Sequence, residues 1–191
     1  MKGINLFRIF SLIFLIFFLG GCVGKPSIND PNLSDLDLNL EDFFNGEVIA
    51  YGQFQDVFGT VRSRFKVDIS GTFDGNRLEL EETFVYSDKT KMKRNWTLVK
   101  LTDSEWEGKA PDVLGIAKGT EVGDLFNWQY QIDLPVGDRL LRVKFDDWMW
   151  LFNDNKLLNK AYVRKYGLTI GEVIIFFEKL KKTKDIIKIV K

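Results

Sequence analysis

No histidine occurs anywhere in the 191-residue sequence. The commonest general base and metal ligand is therefore missing, and with it go Ser-His-Asp triads and most zinc chemistry. A single cysteine, Cys22, excludes an intramolecular disulfide. Charge of neither sign is in excess: 27 lysines and arginines stand against 27 aspartates and glutamates, so no global field draws the chain to nucleic acid. Prolines number only 4, which argues against a disordered chain. There is no D-x-D-x-D-G loop of the calcium-binding type. The expectation is a protein with no metal, no organic cofactor and no nucleic-acid partner.

What is abundant is aromatic, with 17 phenylalanines and 5 tryptophans, a composition that favours strands. The one long apolar run is N-terminal: Lys2 and Arg8 precede residues 9–19, and Leu19-Gly20-Gly21-Cys22 follows. That order of basic leader, apolar stretch and small residues is a secretory signal, too short for a comfortable bilayer span of about 20 residues. Its last four residues resemble a bacterial lipobox, in which the cysteine thiol receives a diacylglycerol and the signal is cut before it. An ordinary signal peptide that happens to contain a cysteine is the alternative. Two or more acyl chains suffice for stable anchoring, so the reading is residues 1–21 as signal peptide, lipidated Cys22 as the membrane attachment, and 22–40 as a flexible tether rich in small polar residues. Val23 stands where an aspartate would resemble an inner-membrane retention signal. The predicted location is the outer membrane, facing the periplasm.

From residue 41 onward alternation replaces any helical stripe. Val61, Phe65, Val67 and Ile69 share one face against Arg62, Arg64, Lys66 and Asp68, and Phe126, Trp128, Tyr130, Ile132 and Leu134 share another. Turn signals such as Asp74-Gly75-Asn76 and Asn153-Asp154-Asn155 separate the runs. The spacing predicts eight or nine strands, near 47–55, 60–71, 77–86, 91–101, 105–118, 126–134, 139–152, 157–165 and 170–179. Short connections imply an all-β antiparallel meander in one domain, 41–180, closing into a lipocalin-like barrel. An open sandwich is the alternative. Residues 181–191 form a basic C-terminal tail.

The segments LEDFFNGEVIAYGQFQDVFGTVRSRFKVDISGTFDG, LEETFVYSD, RNWTL, APDVLGIAKG, FNWQYQIDLPV and FDDWMWLFNDNKLLNKAYVRKYGLTIGEV together resemble the domain of unknown function 3833 family of Gram-negative lipoproteins. The resemblance covers residues 40–179. It implies an envelope location and a single β-rich domain, and carries with it no activity and no catalytic residues.

Charges interrupt three otherwise apolar faces. Glu82 falls among Leu78, Leu80, Phe84 and Tyr86; Arg94 falls among Met92, Trp96 and Leu98; Asp147 falls among Val143, Phe145, Met149 and Leu151. A three-residue loop at 87–89 would set Glu82 opposite Arg94. Asp146 points away from Asp147 because adjacent strand residues alternate, so this DD pair is not a carboxylate dyad of the kind acid/base catalysis uses. Asp146 and Trp148 read as lying on the outer face of their strand, and Lys160, Tyr162 and Arg164 as a solvated outer face. The inward charges are either a buried network that fixes strand register or a polar end to a ligand cavity lined by Trp96, Trp128 and Phe145, with Arg94 anchoring an anionic headgroup. The candidate ligand-binding residues are thus Glu82, Arg94, Trp96, Trp128, Phe145 and Asp147.

These features predict a membrane-anchored, non-enzymatic barrel that binds or shields a small amphipathic or lipid-like molecule. Alternatives are an envelope interaction module whose protein partner the sequence does not name, and an enzyme working with carboxylates alone. An open apolar cavity distinguishes the first from the second.

Overall fold

The computed structural model describes residues 24–32, 35–136 and 138–181. The expected signal peptide, Cys22 and all of the basic tail beyond residue 181 lie outside the described residues. The chain divides into two units, Met1–Asp30 and Pro31–Lys191. In the described part of the first, the Ser27 backbone N–H donates to Asp30 Oδ2 at 2.8 Å and closes a short turn.

The second unit opens with a short helix, α1 (Leu40–Phe44), and continues as ten strands. These are β1 (Gly46–Asp56), β2 (Val61–Phe73), β3 (Arg77–Tyr86), β4 (Lys91–Lys100), β5 (Glu105–Lys109), β6 (Ala117–Val122), β7 (Leu125–Val136), β8 (Arg139–Asn153), β9 (Lys156–Lys165) and β10 (Leu168–Lys179). Every strand pairs antiparallel with its chain neighbours, and β1 pairs with β10 to close a barrel. Closure leaves no edge strand and decides for the barrel over the sandwich. The strands number ten because the predicted run 105–118 is interrupted. Pro111 cannot donate to a ladder, Gly115 adopts φ +77°, and Val113 retains an isolated bridge to Ile132.

Turn chemistry sets the hairpins. Asp56 Oδ1 accepts the N–H groups of Phe58 and Thr60, each at 3.0 Å, and Asp88 Oδ1 accepts that of Thr90 at 2.9 Å. Tyr166 and Gly167 both take positive φ, 50° and 83°, the two-residue turn whose twist suits a hairpin. As the 87–89 loop requires, Glu82 lies opposite Arg94 and Phe84 opposite Met92.

The segment read as a tether to residue 40 joins the fold sooner. Leu38 and Leu40 are buried; the Leu38 N–H donates to Gly123 O at 2.7 Å and the Leu40 N–H to Glu121 Oε1 at 2.6 Å. Alternating leucines at 36, 38 and 40 give this stretch a strand-like apolar face that the core captures. Helix α1 then presses Leu40, Phe43 and Phe44 into one end of the barrel. Its approach depends on Gly71, where a Cβ would stand 1.8 Å from Phe44 O. With five residues it is too short to show a helical stripe in sequence. The meander places α1 and the β2–β3, β4–β5, β6–β7 and β8–β9 turns at this capped end, and the remaining hairpins at the other.

Candidate functional site

The inward faces of the strands enclose a cavity of about 690 Å³. Its floor is Leu40 and Phe44 of the cap, and its walls are largely aromatic and aliphatic. Toward the uncapped end the lining includes Met92, 36% exposed, and Asp112, whose side chain is 39% exposed, so the cavity reaches solvent there. Val57 and Phe58, Leu140, and Tyr166 with Leu168 stand exposed on three hairpins at this same end.

All six residues expected at a ligand site, Glu82, Arg94, Trp96, Trp128, Phe145 and Asp147, line this one cavity. The aromatic rings touch in sequence. Phe126 stacks on Trp128 at 5.6 Å, Trp128 meets Trp96 edge-on at 5.6 Å, Trp96 meets Tyr130 edge-on at 5.3 Å, and Tyr130 lies parallel to Phe145 at 5.0 Å. Two glycines make room: a Cβ on Gly108 would stand 2.7 Å from the Trp128 ring, and one on Gly119 would stand 2.4 Å from that of Phe126. Gly108 and Gly119 thus serve close packing of the rings against the backbone.

The charges are arranged differently from the sequence expectation. Arg94 makes its ion pair and hydrogen bond with Asp112, from the interrupted segment between β5 and β6. It is therefore not a vacant cation awaiting an anionic headgroup. Glu82 faces it across the β3–β4 ladder. Burial pushes Glu82 up to about 7, with Arg94 opposing and Asp112 and Asp147 adding to the rise. Asp147, 4% exposed, is also pushed up to about 7, chiefly by burial; Asn159 and Arg94 oppose the rise and the Asp146 charge adds to it. Burial alone would depress the Arg94 guanidinium, but Tyr130, Glu82 and Asp112 hold it above its ordinary value. The Tyr130 phenol is held well above its own, first by burial and then by Asp147.

Asn159 Nδ2 donates to Asp147 Oδ1 at 2.9 Å. Asp147 Oδ2, Asn159 Oδ1 and Arg94 Nε, all buried atoms of cavity-lining residues, have no hydrogen-bond partner. The Tyr130 hydroxyl lies near the Asp147 carboxylate without closing a bond of good geometry at Oδ2. Among the described residues no cluster of three or more acidic, histidine or cysteine side chains is spaced to hold a metal ion.

Asp146 and Asp147 diverge as the pleat requires. Both ladders of β8 run in continuous register through residues 145–148, so no bulge turns the two carboxylates together. Three of the outer positions, Asp146, Trp148 and Tyr162, are however buried. Asp146 is 2% exposed and accepts from Asn127 Nδ2 at 3.0 Å and Gln129 Nε2 at 3.2 Å. Trp148 and Tyr162 are buried with Leu125 in a second apolar cluster. Alternation reports the direction of a side chain and not what covers it, which is why the sequence shows these residues as outward but not as buried.

Three contributors escaped the sequence reading. Asn159 interrupts the inward apolar run of Leu157, Ala161 and Val163, the same signal that singled out Glu82. Tyr130 was visible as inward but not as polar. Asp112 lies off the ladder, where periodicity carries no information.

The architecture is that of a lipocalin-like closed barrel around an internal, largely apolar cavity. The chain belongs to the DUF3833 family, a protein family of unknown function, whose model matches residues 16–179. No curated protein matches it. Among solved structures it is similar to the S-type phycobiliprotein lyase CPES from Guillardia theta, at TM-score 0.54 and 10% identity, over 76% of this chain and 95% of that one. It is also matched by a de novo designed fluorescence-activating β-barrel, at TM-score 0.40 and 9% identity over 75% of this chain and 99% of that one. A redesigned β-barrel matches at TM-score 0.40 and 7% identity, over 79% and 100% respectively. At these identities the likeness concerns fold.

Proposed function

We propose that this protein is a cell-envelope lipoprotein, held to the outer membrane by acyl chains on Cys22, whose barrel binds a small amphipathic or lipid-like molecule on the periplasmic side. The observation that carries the binding function is the cavity: about 690 Å³, within the range of roughly 300–1,000 Å³ typical of ligand sites. Its apolar walls suit a hydrocarbon chain, and its charged group at Glu82, Asp147 and Arg94 suits a polar end. Exposed Phe58, Leu140 and Tyr166 at the open end offer an amphipathic ligand apolar surface beside the entrance. A filled barrel with an apolar outer patch would have favoured an interaction module instead. The diverging Asp146 and Asp147 carboxylates favour binding over catalysis.

Native mass spectrometry of the purified protein tests the reading. A co-purifying amphiphile of a few hundred daltons, displaced by a fluorescent long-chain probe, is the expected result; a barrel that carries nothing and admits no such probe overturns it. For the anchor, the Cys22→Ser chain is expected to lose acyl labelling.

A further inference from the structure

We infer that the polar end of the bound amphiphile is a protonated amine, seated between Asp147, Asn159 and Glu82 within the aromatic wall of Trp96, Trp128 and Tyr130. This inference rests on the binding function proposed above and specifies its ligand.

The geometry argues by elimination. Arg94 and Asp112 neutralise one another, so the remaining polar groups on this part of the wall are Glu82, Asp147, Asn159 and the Tyr130 hydroxyl, which lies near the Asp147 carboxylate without closing a bond at Oδ2. Asn159 is 2% exposed and donates to Asp147. That single bond leaves Asp147 Oδ2 and Asn159 Oδ1 both buried, both acceptors and both without a partner. A buried acceptor left unsatisfied costs about 1–3 kcal/mol, so the ligand that completes this wall brings donors. An ammonium carries three donors and no acceptor, enough for Asp147 Oδ2, Asn159 Oδ1 and the Glu82 carboxylate together. A carboxylate or phosphate head would bring acceptors to acceptors and add negative charge beside Glu82, Asp112 and Asp147.

The aromatic wall agrees. Trp128 is the register partner of Asp147 on the neighbouring strand, Trp96 closes against Trp128 at 5.6 Å, and Tyr130 closes against Trp96 at 5.3 Å. Ring faces attract cations within about 6 Å, and tryptophan does so best. Arg94 Nε, the unpaired donor of the same region, would take an acceptor next to the amine, such as a hydroxyl or amide oxygen.

Titration calorimetry of the full chain at about pH 8, where carboxylates that titrate near 7 are ionised, separates the possibilities with three probes of equal chain length: dodecylamine, dodecanol and dodecanoate. Dodecylamine is expected to bind about tenfold or more tighter than dodecanoate. Asp147→Asn should shrink that ratio, weakening dodecylamine more than dodecanol, because only the amine loses a charge-assisted contact. Should Asp147→Asn fail to fold, Glu82→Gln carries the same comparison. Dodecanoate binding as tightly as dodecylamine, or a ratio unmoved in the folded variant, overturns the amine assignment. Binding of none of the three probes, dodecanol included, overturns the ligand-binding reading itself.

Discussion

Arg94 stands directly opposite Glu82 across the β3–β4 ladder, yet its ion pair is with Asp112. Glu82 is thus left facing a cation already neutralised by another carboxylate, and burial raises its pKa instead of an ion pair lowering it. Removing Arg94 withdraws the attraction that Glu82 and Asp147 both feel and strands Asp112. Arg94→Ala is expected to destabilise the fold by up to about 3 kcal/mol, the lower bound for breaking a buried pair, whereas exposed Arg62→Ala should cost about 0–1 kcal/mol. Urea denaturation of the two variants measures the difference; equal midpoints would contradict the inward placement of Arg94.

Stability should fall as pH rises from about 4 to 7. Glu82 and Asp147 titrate near 7 in the folded state, above the ordinary carboxylate range near 4. The folded protein therefore holds protons that the unfolded chain has released, and the advantage, complete below the unfolded values, is lost on passing through the folded ones. Glu121, also raised by burial, acts in the same direction. Asp56, Asp88 and Asp133 are held below their ordinary values and act at lower pH. Melting temperatures across this window should decline, and Glu82→Gln with Asp147→Asn should flatten the profile; a rise in stability would reject the assignment of both groups.

Asp146→Ala is expected to cost about 1–3 kcal/mol, because Asn127 and Gln129 would lose the acceptor that their amides share. Asp68→Ala, at an exposed outer position of β2, should fall within about 0.5 kcal/mol of the parent. Chemical denaturation of both variants makes the comparison, and an Asp146→Ala protein as stable as Asp68→Ala would show that outer burial carries no energetic weight here.

Gly71→Ala tests the cap. The added Cβ would collide with Phe44 O, and relief requires α1 to move off the barrel end, at about 1–3 kcal/mol for an overpacked site. The expected signature beyond lost stability is faster release of a bound fluorescent probe, since Leu40 and Phe44 floor the cavity. Unchanged release would separate the cap from ligand retention.

Strand positions and facing were legible in the sequence because a pleated chain displays its period directly. Glu82, Arg94 and Asp147 could be recognised as inward since each breaks an apolar alternation, and a short loop at 87–89 was enough to set Glu82 against Arg94. Asp112 was illegible because it reaches the cavity from a segment outside the ladder, and α1 because one turn has no periodicity to read. Asp146, Trp148 and Tyr162 show the third limit: the pleat assigns a side chain to a face, but burial depends on what else lies against that face.

The β1–β10 pairing that closes the barrel has a kinetic consequence. All other ladders join strands adjacent in the chain, so each can form once its own short loop has closed. Val48 and Lys179 are register partners from opposite ends of the domain, and bringing them together restricts a loop that spans nearly all of it. That contact is expected to form last, after the meander has curled. Until the residues of β10 have emerged, a nascent chain is an open curved sheet with unsatisfied strand edges, the form most prone to pairing with another copy. Arrival of the last strand, more than collapse of the core, would then set the moment at which this protein becomes safe from aggregation.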